Sequence, residues 1–207
     1  MKDNKLICIL DYGSGNVRSV KNLIEYLGYS VIVSNDKQDI KKSSHLILPG
    51  VGAFGSAIVN IKNKIPLSTV EGEVFDRNKP FLGICVGMQV LSDTGYEYGE
   101  HQGLGWIKGK VDKLDSKQLP LPHIGWNDVI VKSEEPLFFG LDNNLDFYFV
   151  HSFRFIPDDD TLISSNVNYG TTFCSSIQMA NIFGVQFHPE KSQKAGEILM
   201  KNFLELK

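Results

Sequence analysis

The chain has 207 residues, 42% apolar and 22% charged, which is the size of one domain and enough apolar surface for a packed core. Lys+Arg 21 against Asp+Glu 24 leaves a net charge of −3 with neither sign dominating, which argues against a nucleic-acid or anionic-membrane partner. No apolar run approaches the roughly 18–20 residues of a membrane span, and three scattered cysteines without a CxxC pair argue against a disulfide framework or a zinc site. The composition therefore predicts a cytoplasmic protein of one domain over residues 1–207, and the pattern of elements along the chain makes it one compact α/β unit.

Residues 6–10 form an apolar run that reads as a strand buried on both faces. Val17, Val20, Leu23, Ile24 and Leu27 then mark one helix face, stopped by Gly28. Residues 31–33 and 45–48 are two more strands, followed by helical patterns over 53–64 and 67–77. Residues 81–84 are a fourth strand, and 87–92 look helical again. This alternation predicts a mostly parallel central sheet flanked by helices. From about residue 103 the pattern changes to short β-type runs at 106–114, 129–132, 147–156, 162–167 and 172–179, separated by Pro, Asn and Gly turns. These predict additional antiparallel strands on the same sheet. Ala195, Ile198, Leu199, Asn202, Phe203 and Leu206 close the chain as a helix with one mainly apolar stripe.

The first strand-to-helix turn, Gly13-Ser14-Gly15-Asn16-Val17-Arg18, lacks the third glycine of a dinucleotide fingerprint, and no Gly-Lys-Ser/Thr follows. A close-packing turn or a partner-facing loop is the better reading. Gly83-Ile84-Cys85-Val86-Gly87, by contrast, is the cysteine form of the Gly-x-Ser-x-Gly nucleophile elbow. A nucleophile on so sharp a turn needs small neighbours, although a small buried apolar residue is the commonest fate of a cysteine.

A thiolate nucleophile needs a base. Of the five histidines, His45 precedes an apolar strand and His101 lies in a polar loop, while His123 and His151 sit among aromatic and turn residues. His188 follows the apolar run 182–187 and precedes Pro189, which ends the strand there. Two residues on, Glu190 is placed to accept the imidazole N–H, completing a nucleophile–base–orienter set. In a doubly wound sheet the strand ends carrying Cys85 and His188 line one crevice. The glycines of Pro49-Gly50-Val51-Gly52-Ala53-Phe54-Gly55 end the third strand at that edge, where backbone N–H groups can turn toward an oxyanion.

Together with Asp11-Tyr12-Gly13-Ser14-Gly15-Asn16, Pro122-His123-Ile124-Gly125-Trp126-Asn127, Tyr148-Phe149-Val150-His151-Ser152 and Gly184-Val185-Gln186-Phe187-His188-Pro189-Glu190-Lys191-Ser192, these blocks make nearly the whole chain resemble a class I glutamine amidotransferase. The resemblance is to the glutaminase subunits that serve histidine biosynthesis. It implies a flavodoxin-like fold and catalysis by Cys85, His188 and Glu190 without metal or cofactor. It implies an oxyanion hole at Val51, Gly52 and Val86, and L-glutamine bound by Gly52, Gln89, Ser152 and Phe153. Tyr12, Asn16, His123, Trp126, Asn127 and Lys191 would face a separate (β/α)₈-barrel synthase in a heterodimer. Ammonia would pass to that synthase to give imidazole glycerol phosphate and aminoimidazole carboxamide ribotide. A barrel of about 250 residues has no room within this chain, so it is expected as a second subunit.

Trp106 and residues 173–179 look closer to paralogues that supply ammonia to a sugar-modifying, amidino-forming synthase. More distant alternatives are a cysteine peptidase-like hydrolase on a similar sheet, for which Gln89 and the Pro-Gly-Val-Gly loop would have no purpose, and a non-catalytic scaffold subunit.

Overall fold

The computed structural model describes residues 5–13, 16–132, 135–141 and 145–207. Its elements run β1 (Leu6–Ile9), α1 (Val17–Tyr26), β2 (Ser30–Val33), α2 (Lys37–Lys42), β3 (His45–Gly50), α3 (Phe54–Lys64), α4 (Leu67–Glu71), β4 (Phe81–Cys85) and α5 (Val86–Gln89). There follow β5 (Thr94–Gly95), β6 (His101–Gln102), β7 (Gly109–Lys113), β8 (His123–Val131), β9 (Asp146–His151), β10 (Phe153–Pro157), β11 (Ile163–Tyr169), β12 (Thr171–Met179), β13 (Ile182–Val185) and α6 (Gln193–Glu205).

A nine-stranded sheet in the order β2-β1-β3-β4-β13-β12-β11-β8-β9 forms the centre. From β2 to β13 all pairings are parallel, and from β13 onward all are antiparallel. The fold is therefore α/β with a large mixed sheet flanked by helices. The inner strands carry no charged side chain, and every residue of β3, β4 and β13 is buried, as a sheet covered on both faces requires. α1 buries Val20 and Ile24, and Gly28 ends it at φ +86°, a left-handed conformation that glycine adopts without a Cβ clash.

Three local expectations change. The run 147–156 is two strands, not one. β9 stays in the large sheet by pairing with β8, whereas β10 pairs with β7 in a separate four-stranded sheet ordered β10-β7-β5-β6. The later strands thus divide between two sheets rather than all extending the first. The helix expected over 67–77 is α4 followed by a wider π turn, Gly72–Asp76, whose buried Glu73 pairs with Lys79 at 2.8 Å. α2 went unanticipated because its six residues bury only Ile40, leaving no apolar period to read. What starts it is the Asp36 side chain, which accepts from the Gln38 and Asp39 N–H groups. Among the described residues no helix is long and apolar enough to cross a membrane, and no group of three His, Cys, Asp or Glu gathers to hold a metal.

Candidate active site

β4 ends on Cys85, whose backbone lies at φ +55°, ψ −111° before α5 begins. A non-glycine residue in this region costs on the order of 1–3 kcal/mol and persists only where its surroundings enforce it. Both neighbouring glycines are required by contact. A Cβ on Gly83 would sit 2.5 Å from the Gly87 carbonyl oxygen, and one on Gly87 would overlap the Leu48 carbonyl oxygen in β3. Gly87→Ala is therefore expected to destabilise the fold by at least about 2 kcal/mol in urea unfolding, because its neighbour is backbone that cannot swing aside. A variant as stable as the parent would show that the elbow can relax.

The register β4–β13 pairs Gly83 with Gly184 and Ile84 with Val185, so both strands deliver their next residues to one carboxyl-terminal edge. Cys85 emerges from one and His188 from the other. The His188 backbone is pinned on two sides: its N–H donates to the Tyr148 carbonyl of β9 (2.9 Å) and its carbonyl accepts from Ser192 Oγ (2.6 Å). His188 Nδ1–H donates to Glu190 Oε1 at 2.7 Å, both side chains being fully buried. Asn16 Nδ2 donates to the same carboxylate oxygen. With Nδ1 committed to Glu190, the buried Nε2 has no hydrogen-bond partner among the described residues. Burial by itself would lower the His188 pKa, but interaction with Cys85 and then with Glu190 outweighs it and raises the value to about 10. The imidazole is thus held toward its protonated form by its neighbours.

Cys85 opens into a cavity of about 300 Å³ lined by Val51, Gly52, Val86, Gln89, Ser152 and Phe153, and also by Glu97, Val150, His151 and Lys191. Gly50 pairs with Cys85 across β3–β4, which places the Val51-Gly52 turn beside the sulfur, and Gly52 is at φ +95°. Cys85 and the residues expected in the oxyanion and glutamine-binding sets thus line one space, whereas His188 and Glu190 are not part of its wall.

The residues expected to face a partner separate into two groups. Trp126 and Lys191 are exposed and Asn127 is half-buried, whereas Tyr12, Asn16 and His123 are buried. The correction is clearest for Asn16, which braces Glu190 instead of reaching outward. Ser14 and Gly15 lie outside the described residues. His123 belongs to an interior chain of bonds. His151 Nδ1–H donates to the Phe153 carbonyl (2.8 Å), which leaves His151 Nε2 to accept from His123 Nδ1–H (3.1 Å) and His123 Nε2 to accept from Asn127 (3.2 Å). Both rings must be neutral for this chain to exist. Burial enforces that, pulling His123 down to about 4 and His151 to about 3.

Two polar residues of the site escaped the sequence reading. Glu97 stands in a polar loop with nothing in its surroundings to mark it; its carboxylate also accepts the Phe54 N–H at the start of α3 (2.8 Å). Gln186 did carry a signal, being the one polar side chain in the apolar run 182–187.

The family model for class-I glutamine amidotransferases matches residues 8–206. The imidazole glycerol phosphate synthase subunit HisH of Aquifex aeolicus is 44% identical over 94% of this chain and 94% of its own. The subunit of the same name from Pyrococcus furiosus is 45% identical over 97% of this chain and 98% of its own. Among solved structures, that of PurLQS from Thermotoga maritima superimposes with a TM-score of 0.74 at 20% identity, covering 97% of this chain and 98% of that one, a likeness of fold. With an elbow cysteine, a buried His–Glu pair and a family match across nearly its full length, the chain belongs to the class I glutamine amidotransferases.

Proposed function

We propose that residues 1–207 are one glutamine amidotransferase domain acting as the glutaminase subunit of imidazole glycerol phosphate synthase, a cytoplasmic enzyme of histidine biosynthesis. The observation that carries the chemistry is Cys85, held on a strained elbow next to His188–Glu190 and opening into a 300 Å³ cavity beside a glycine turn. The cavity suits an amino acid. Glu97 is its acidic lining residue and meets an α-ammonium group, while Ser152 and the Phe153 backbone hold the remaining polar atoms.

Cys85 Sγ attacks the carboxamide carbon of glutamine, and the developing oxyanion takes hydrogen bonds from the backbone N–H groups of Val51, Gly52 and Val86. His188 gives its Nε2 proton to the departing nitrogen, so ammonia leaves and a glutamyl thioester remains. The now neutral His188 takes a proton from water, hydroxide adds to the thioester, and the C–S bond breaks to release glutamate and the thiolate. Glu190, itself held by Asn16, keeps the ring in the tautomer this requires.

The ammonia acceptor is a (β/α)₈-barrel synthase bound in a heterodimer. Its docking face is the outer side of β8 and β9. Ile124 (59% exposed) and Trp126 (43%) stand there opposite Val150 and Tyr148, with Lys191 Nζ 5.5 Å from the Tyr148 ring centroid. Val150 and Lys191 also line the cavity, so a partner seated on this face covers its mouth. The features that resemble sugar-pathway paralogues do not bear on the acceptor, because they are interior. Trp106 packs on Phe75 and Phe81 and donates to Glu71, and residues 173–177 are buried in β12.

Copurification with a histidine-pathway barrel, and glutamine-dependent synthesis only when both are present, is the expected result. Stimulation solely by a sugar-modifying synthase would overturn the assignment of acceptor. 6-Diazo-5-oxo-norleucine, a glutamine analogue, should label Cys85 in the complex, and no labelling would favour a peptidase-like hydrolase.

A further inference from the structure

Gln186 follows β13 and is fully buried, two residues before His188. An amide side chain taken out of water costs several kcal/mol unless its polar atoms are satisfied, so where its bonds go is informative. They go to the nucleophile. Gln186 Nε2 lies 3.6 Å from Cys85 Sγ, a normal length for the large sulfur acceptor, and Gln186 Oε1 accepts from Gln89 Nε2 at 2.9 Å.

Donor and acceptor accounting leaves a single orientation for both amides. The Phe153 carbonyl can only accept, so the atom of Gln89 that meets it at 2.9 Å must be the nitrogen. The second hydrogen of that nitrogen then points at Gln186, which must answer with its oxygen. Its own nitrogen is thereby turned toward the sulfur. The Phe153 carbonyl is in turn held by His151 Nδ1–H at 2.8 Å. Gln89 is thus engaged through both hydrogens within the protein. Only its oxygen remains for a ligand in the cavity.

We infer that Gln186 is a further catalytic residue: its amide N–H holds the Cys85 sulfur as a thiolate and receives it again as the leaving group when the thioester is hydrolysed, with Gln89 as the positioning residue that aims it. This rests on the reading of Cys85 as the glutaminase nucleophile. In the second half-reaction hydroxide adds to the thioester carbon, the C–S bond breaks, and its electron pair returns to sulfur. A donor already aligned on that atom stabilises the charge as it forms and needs no reorganisation.

The test compares the parent with Gln186→Met, which keeps the length but loses the donor, and Gln186→Glu, which puts an oxygen where the N–H was. Iodoacetamide alkylation of Cys85 at pH 7.5, followed by mass spectrometry, is expected to slow about tenfold in the first and further in the second, the loss of a hydrogen bond to a charged atom. Cys8 and Cys174 are buried, with thiols pushed up to about 12, and serve as the unreactive background. In the complex with the barrel subunit, kcat for glutamine hydrolysis should fall about 100-fold, with KM within about threefold, and a glutamyl thioester should accumulate. Folded variants that alkylate and turn over within twofold of the parent would overturn the inference.

A measurement on the unsubstituted chain does not depend on variants folding. In the folded, ¹⁵N-labelled protein the Gln186 side-chain amide proton should shift when Cys85 is alkylated, and an unmoved resonance would equally overturn the proposal. Failure of the glutaminase reading looks different: Cys85 would alkylate rapidly, and slower in the variants, while no glutamine was hydrolysed with any partner.

Discussion

Cys85→Ala is expected to lower glutamine hydrolysis on the order of 10⁴-fold or more while leaving the fold and the partner's reaction with free ammonia intact. The size follows from the absence of a substitute nucleophile. Cys8 forms its bond to the Ser34 carbonyl on the far side of β1, Cys174 is enclosed in β12, and burial drives both thiols up to about 12. The fold should survive because the substitution removes one small buried atom. The strained backbone at φ +55° is enforced by Gly83, Gly87 and β3 rather than by the sulfur. Assaying glutamate release and ammonia-driven product formation on the same preparation separates the two activities. Unchanged glutamate release would exclude Cys85 as nucleophile, and loss of both activities would point to a disrupted complex.

Acidification from pH 7 to pH 5 is expected to destabilise the protein by about 5 kcal/mol net, a large part of the 5–15 kcal/mol that domains usually have. Three histidines are buried in neutral form. His45 is held down to about 4 by burial and then by Lys5, His123 to about 4 by burial, and His151 to about 3 by burial. Each has an ordinary value near 6.5 when the chain unfolds. Between pH 6.5 and the folded values only the unfolded state takes up the proton. The contribution of each ring is therefore complete above 6.5 and is lost as the pH falls toward 4, costing about 2 kcal/mol per ring at pH 5. His188 acts in the opposite sense: raised to about 10, its contribution is present below 6.5 and lost as the pH climbs through 10. Stability should peak near neutrality. Urea midpoints at pH 5, 6 and 7 measure this, and a flat profile would mean that the buried rings open to solvent before global unfolding. His45→Gln, far from the cavity and against Phe203, should remove about a third of the acid slope without affecting turnover.

The parallel, helix-flanked character of the core was readable because buried strands and amphipathic helices leave composition and period in the chain itself, whereas the strand order came only from the structure. The elbow at Cys85 is legible for a similar reason, since a Cβ on Gly83 or Gly87 would strike backbone, whereas His188 lies three residues beyond the end of β13 rather than at the strand end that Pro189 suggests. What could not be read were features that depend on contacts distant in sequence. Nothing local announces that 147–156 divides between two sheets, since both halves are equally β-forming and the choice is made by the pairing of His151 with His123 and of Phe153 with Lys113. Likewise Asn16 reads as a loop residue until its partner 174 positions away is in place.

The sequence by itself determined the α/β class, because strand and helix periods are local, and it marked the candidate nucleophile, base and orienting carboxylate, which stand in motifs of a few adjacent residues. Only the tertiary structure decided what supports them. Asn16 behind Glu190, Gln186 and Gln89 behind Cys85, and the neutral His123–His151 pair behind Phe153 are polar side chains buried at long range. Each is recognised only by the hydrogen bond that makes its burial tolerable, and that bond exists only once the chain has folded.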